Sequence, residues 1–249
     1  LILSGKINFI KLKMKISLSW KIITFLLLAF VSAAGIAFPV VENPSAWYQF
    51  PLIPGLEEKA KIIFFHVPTA WVAVLAFLFS TVYSIRYLRK KDIKDDRKAY
   101  AAAQLGIVFC VLATVTGAVW AKFNWGAYWS WDPRQSSIFA LFLIYGAFFA
   151  LRSSIESDEK RASLSAVYSI IAFVTVPFLV FIMPRIMTGL HPGSANDSSA
   201  GPVLNFSMDS HMKLVFFMSL AGFTMLFYWI WQLSVRALII KDKINRKHF

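Results

Sequence analysis

His66 stands in Phe64-Phe65-His66-Val67-Pro68 at the start of an apolar run. Pro68 suits the first turn of a helix, where no backbone donor is needed. An imidazole near a helix N-terminus is disfavoured in its protonated form by the helix dipole, which leaves a ring lone pair free for a metal. His191 follows Thr188-Gly189-Leu190 and precedes Pro192-Gly193, in a stretch rich in Gly, Ser and Asn. His211 comes just before the last apolar run, and His248 is a tail residue. Taken singly, each reads more readily as an ordinary polar residue at headgroup level or in a solvated loop than as a ligand.

The second concentration of chemistry is aromatic. Residues 120–132 read Trp120-Ala121-Lys122-Phe123-Asn124-Trp125-Gly126-Ala127-Tyr128-Trp129-Ser130-Trp131-Asp132, so four of the nine tryptophans fall in one short segment. At helical spacing Trp125, Tyr128, Trp129 and Asp132 share a face, and the segment is expected to lie flat on the membrane as an amphipathic shelf ending in a carboxylate. An ordinary interfacial belt spreads its tryptophans over several helix ends instead. A flat aromatic platform beside two neutral imidazoles is what bis-histidine haem binding needs: the porphyrin stacks while ring nitrogens fill both axial positions. Arg134 is placed to pair with a haem propionate through a charge-assisted hydrogen bond.

The elements that position these residues follow from composition. The 249 residues are 58% hydrophobic and 16% charged with mean hydropathy +0.61, too apolar for a surface that meets water. Six apolar runs, at about 20–41, 62–85, 100–121, 136–151, 163–183 and 214–235, are long enough to cross a bilayer. The expected fold is an all-α integral membrane protein, a six-transmembrane-helix bundle over 1–249 with the Trp-rich loop 122–135 as an outer-face amphipathic segment. The fourth run is short and is expected to extend through Pro133 and Arg134. Pro177 should kink the fifth. Met14 is an alternative start, and the first run, though signal-like, has the length of a retained helix.

Charge sets the orientation and excludes several functions. Basic residues cluster before the first run (Lys6, Lys11, Lys13, Lys15, Lys21), in the second loop (Arg86 to Lys98), in the fourth (Arg152, Lys160, Arg161) and at the C-terminus (Arg236 to Lys247). Only Lys59, Lys61, Lys122, Arg134, Arg185 and Lys213 fall on the other side. The positive-inside rule therefore puts both termini in the cytoplasm and segments 42–61, 122–135 and 184–213 outside. The net charge of +13 thus reflects membrane topology and lipid contact, with no nucleic acid implied. Cys110 is the lone cysteine, and no Cys-x-x-Cys-His site exists, so haem would be held non-covalently, as haem b. Gly5-Lys6 lacks the rest of a Walker A loop. A solute transporter is the weaker reading because no ionisable residue sits near a span centre, and a b-type cytochrome would need paired histidines at that depth.

The residues Trp125-Gly126-x-x-Trp129-x-Trp131-Asp132 resemble the tryptophan-rich WWD signature of haem-handling proteins of cytochrome c maturation. Length, helix count and the signature's place between helices three and four are most similar to the CcmC family, over roughly residues 20–235. The resemblance implies that His66 and His191 are the axial haem ligands at the periplasmic face of the cytoplasmic (inner) membrane. It implies a haem-delivery role without catalytic chemistry of its own, passing haem to the chaperone CcmE beside the ABC-type subunits CcmA and CcmB and the small protein CcmD. CcsA and CcmF proteins carry the same signature on longer chains; a CcsA-like haem-lyase subunit is the alternative. On this reading Trp125, Trp129 and Trp131 hold the porphyrin, and Asp132 orients the loop or a partner, so that its loss impairs delivery more than binding.

Overall fold

A computed structural model describes residues 2–196 and 208–245, with side-chain surroundings for 18–196 and 208–244. His248, Arg246, Lys247 and the 197–207 part of the long loop lie outside the described residues. Among the described residues six helices are long and apolar enough to cross a membrane: Leu18–Ala37, Glu57–Lys90, Ile93–Trp125, Pro133–Ser153, Asp158–Ile186 and Ser210–Ile244. Their outward faces carry Leu26, Val115, Leu143 and Val174, each more than half exposed, so the bundle offers side chains suited to lipid where a soluble protein would offer charge.

Each boundary has a local cause. Helix α1 (Ile2–Ala37) stops ahead of Pro39, and the chain then forms two short parallel strands, β1 (Val40–Val41) and β2 (Phe50–Pro51). A 3-10 segment, Glu57–Phe64, leads into α2 (His66–Lys90), which ends on Lys91 in the left-handed region at φ 54°. Asp92 caps α3 (Ile93–Trp125) by accepting from the Lys94 N–H at 2.9 Å. Gly126, at φ 81°, closes α3 with its N–H on the Lys122 carbonyl. Asp132 caps α4 (Pro133–Ser153), whose first residue is Pro133, so the fourth span does extend through Pro133 and Arg134. Helix α5 (Asp158–Pro177) passes into a π-helical turn, Phe178–Ile182, directly after Pro177, which supplies no N–H to the ladder. The short α6 (Met183–Ile186) follows, and α7 (Ser210–Asn245) closes the bundle.

The Trp-rich segment does not continue as a helix. Gly126 stops α3 one residue after Trp125, Pro133 starts α4, and the residues between form an irregular loop. The shared face expected of Trp125, Tyr128, Trp129 and Asp132 therefore does not exist, and the four side chains point from a cap, a loop and a helix start.

Helix α2 packs most extensively on α3, then on α5, while α1 packs on α7. At the centre Phe77 stacks on Tyr145, ring centroids 3.6 Å apart. Gly106 makes that approach possible, since a Cβ there would lie 2.4 Å from the Phe77 ring. At one end of the bundle Asp96 accepts both terminal nitrogens of Arg152, at 2.7 and 2.6 Å. Arg97 spans from Asp96 to Asp242 at the same end, tying α3, α4 and α7. The histidines sit at the other end.

Candidate functional site

His66 is the first residue of α2, and its ring lies against Gly117 of α3, where an added Cβ would come within 2.7 Å of its Cε1. Its Nδ1 is 3.1 Å from the Thr116 hydroxyl oxygen. That hydroxyl already donates to the Leu112 carbonyl at 2.8 Å, so it acts toward His66 as an acceptor. The proton therefore sits on Nδ1, and Nε2 is the nitrogen left with a lone pair.

His191 reaches the same tautomer by a different route. Its Nδ1 lies 2.8 Å from Asp132 Oδ1. The side chain of Asp132 is fully enclosed. Asp132 also accepts from the backbone N–H groups of Arg134 at 2.9 Å and Leu190 at 2.6 Å. Burial pushes its pKa up, but the hydrogen bond from His191 and those from the two backbone N–H groups outweigh this and bring it to about 2. As an ionised carboxylate it can only accept, so His191 donates from Nδ1 and presents Nε2. Asp132 thus caps α4 and fixes the loop histidine at once, where a role in orienting the loop or a partner was expected.

The loop that carries His191 is built for this contact. A Cβ on Gly189 would lie 2.7 Å from Asp132 Oδ2 and 2.9 Å from both Pro133 Cδ and Ser194 Oγ. The Ser194 hydroxyl donates to the His191 carbonyl at 2.8 Å, and Asn196 accepts from the Gly189 N–H at 2.9 Å. The indole of Trp125 meets the His191 ring edge-on at 4.7 Å, and Trp120 braces Trp125 while donating its own N–H to the Lys59 carbonyl at 3.1 Å.

Two cavities share His66, His191 and Arg134 as common wall. The inner one runs from Trp129 down to Phe77, Cys110 and Leu141. The outer one is bounded by Trp120, Ile63, Met208 and Met212. Mostly apolar walls with a few convergent polar groups are the usual make-up of a small-molecule site. Arg134 reaches the Pro192 carbonyl at 3.4 Å, and among the described residues most of its guanidinium donors are unspent.

The structure thus brings together His66, His191, Trp125, Trp129, Asp132 and Arg134. It does not bring Trp131 or Gly126 to either cavity. Trp131 is 64% exposed, has φ 57° and rests on Phe139, while Gly126 serves as the cap of α3 with open space beside it. His211 lies 3.6 Å from Asp209 and lines neither cavity. Sequence reasoning missed Thr116, Gly117, Gly189 and Gln135. Gln135 holds the Trp loop, accepting from the Ser130 N–H at 2.7 Å and donating to the Tyr128 carbonyl at 3.3 Å. The one available signal was Gly189, a glycine two residues before a loop histidine.

The family model for CcmC, heme exporter protein C, matches residues 6–249. The heme exporter protein C of Paracoccus denitrificans is 32% identical over 167 residues, covering 67% of this chain and 68% of that one. That of Bradyrhizobium diazoefficiens is 28% identical over 201 residues, 80% of this chain and 74% of that one. The cytochrome c biogenesis protein CcsA of Spinacia oleracea is 30% identical over 113 residues, only 45% of this chain and 34% of that one.

Proposed function

The chain belongs to the CcmC family of multi-pass haem exporter proteins in cytochrome c biogenesis, and we propose that it holds haem, its cargo, between His66 and His191 and delivers it to the chaperone CcmE. The observation that carries this reading is the matched pair of tethered imidazoles: Thr116 and Asp132 each engage an Nδ1, and both rings line the same two cavities. Tethering one nitrogen of a ligating histidine sets its tautomer and aims the other, which is how proteins fix metal-binding imidazoles.

The remaining residues divide the work of binding a flat dianion. Trp129 and the apolar inner wall cover porphyrin carbon, and Trp125 keeps the His191 ring upright. Arg134, on the wall shared by both cavities, pairs with a propionate. His66 is anchored between two helices, whereas His191 rides on a loop held mainly by the carboxylate of Asp132, with a longer bond from Arg134 to the Pro192 carbonyl beside it. The loop ligand is therefore the one that gives way during transfer, and Asp132 sets how readily it does so.

Family membership also supports assembly with CcmA, CcmB and CcmD, and the basic clusters support a site on the periplasmic side of the cytoplasmic membrane with both termini inside. The coverage of CcsA is too small to favour a lyase partner. The test is to purify the protein, record a Soret band, and mix it with CcmE. Haem should be present and should move to the chaperone; a preparation that takes up no added haem, or keeps it in the presence of CcmE, overturns the proposal. Reporter fusions at residues 92 and 245 check the orientation, since export of either would put the histidines on the wrong side.

A further inference from the structure

The end of the bundle opposite the histidines holds another cavity, framed by the start of α3, the end of α4, the start of α5 and the end of α7. Four cationic side chains line it: Arg97, Arg152, Arg161 and Lys241. The side chains of Arg97 and Arg152 are only 11% and 7% exposed. Three carboxylates answer the four cations. Asp96 takes both terminal nitrogens of Arg152 and one of Arg97, Asp242 takes Nε and Nη2 of Arg97, and Asp158 takes Arg161. Lys241 makes no hydrogen bond or ion pair among the described residues, so one positive charge is left over beside the cavity.

The guanidinium groups are not exhausted either. Each carries five N–H donors, and among the described residues those of Arg152 are engaged through its two bonds to Asp96. Asp96 therefore backs the fork and aims it, while the Tyr100 ring, 4.4 Å from Arg152 Cζ, fixes its plane. Unspent donors on a buried cation are costly unless an acceptor meets them. The wall beside them is apolar, formed by Phe149 and Leu238. Among the described residues no His, Met or Cys lines the cavity, so none of them offers it the axial ligand that a haem iron takes.

We propose that this cavity binds the headgroup of an anionic phospholipid, with phosphate oxygens on the free arginine and lysine donors and an acyl chain along Phe149 and Leu238. Forked guanidinium groups suit phosphate oxygens, and basic pockets between helix ends are where membrane proteins take such headgroups. Inorganic phosphate would meet the same donors but gain nothing from the apolar wall. The bound lipid would tie together helix ends that also position α4, the helix capped by Asp132 at its far end.

The experiment is native mass spectrometry of the full-length protein, delipidated in detergent and given phosphatidylglycerol, phosphatidylcholine or phosphatidylglycerol with excess inorganic phosphate. The wild type should retain phosphatidylglycerol in preference to phosphatidylcholine and resist competition by phosphate. The double substitution Arg161→Ala with Lys241→Ala should lower retention about tenfold or more. Lys241→Ala alone, which breaks no bond within the fold, should lower it about threefold. The Soret band of haem-loaded protein should not change in either. Equal retention by Lys241→Ala and wild type, equal binding of both lipids, or displacement by phosphate at lipid-like concentration each overturns the proposal, the last in favour of a free-anion site.

Discussion

The two ends of this bundle use polar side chains in opposite ways. At one end Asp96, Arg97, Arg152 and Asp242 close on each other, the carboxylates fully engaged, and the valence left over is N–H donors. At the other end Thr116 and Asp132 each engage the Nδ1 of one imidazole, and the valence left over is a pair of nitrogen lone pairs facing cavities. Leftover donors suit an anion, and leftover lone pairs suit a metal. The lesson is that function in such a chain is read from what the internal hydrogen bonds leave unspent, since a polar group in lipid that spends everything on its neighbours can only hold the fold.

The comparison breaks most visibly at the histidines. His66→Ala and His191→Ala should each abolish or nearly abolish the haem Soret band while the protein still inserts, whereas His211→Ala should leave the band almost intact. A band lost with His211→Ala and kept with His191→Ala would reverse the ligand assignment.

At the ion-paired end the expected effect is on stability. Arg152→Ala leaves the Asp96 carboxylate with Arg97 as its one cationic partner among the described residues, and since stranding a buried charge outright costs about 3–5 kcal/mol, a loss somewhat below that range is expected. Thermal unfolding in detergent should show it, and a variant as stable as wild type would mean that the cluster is not a fastener.

Asp132 links both kinds of use and should show an intermediate effect. Its folded pKa of about 2 lies below its ordinary 3.8, so its stabilisation is present above the ordinary value and is lost as pH falls toward the folded one. Asp132→Asn should cost on the order of 2 kcal/mol at neutral pH. The gap between wild type and variant should shrink as unfolding is measured from pH 5 down to pH 2. Asp132→Asn should also weaken haem retention, because the amide can donate where His191 needs an acceptor; unchanged retention would restore the view that Asp132 serves delivery more than binding.

The smallest effects separate the tryptophans. Trp129→Ala should reduce retention by an amount on the order of 1 kcal/mol, the scale of one aromatic contact. Trp131→Ala, on an exposed ring outside both cavities, should stay within about 0.5 kcal/mol in stability and leave retention unchanged. Retention titrations that show equal losses would return Trp131 to the binding surface.

The sequence by itself determined the six spans, because a bilayer demands about 20 apolar residues in a row and tolerates few substitutes. It also marked His66, His191, Asp132 and Arg134, because charged, imidazole and indole side chains crowded at span ends are few enough to stand out. The ends of the Trp loop were legible too: Gly126 has the form of a helix C-cap, and Asp132-Pro133 that of a cap and first turn, signals that the helical reading of the tryptophans passed over. Only the tertiary structure decided which residues aim the histidines. Thr116 lies 50 residues from His66, and Asp132 lies 59 from His191. Hydropathy records how deep a residue sits, whereas a hydrogen bond depends on which helix is its neighbour and how that helix is rotated. That is settled by close approaches such as Gly117 beneath the His66 ring and Gly189 against Asp132, where a single added carbon would push the imidazoles off their aim.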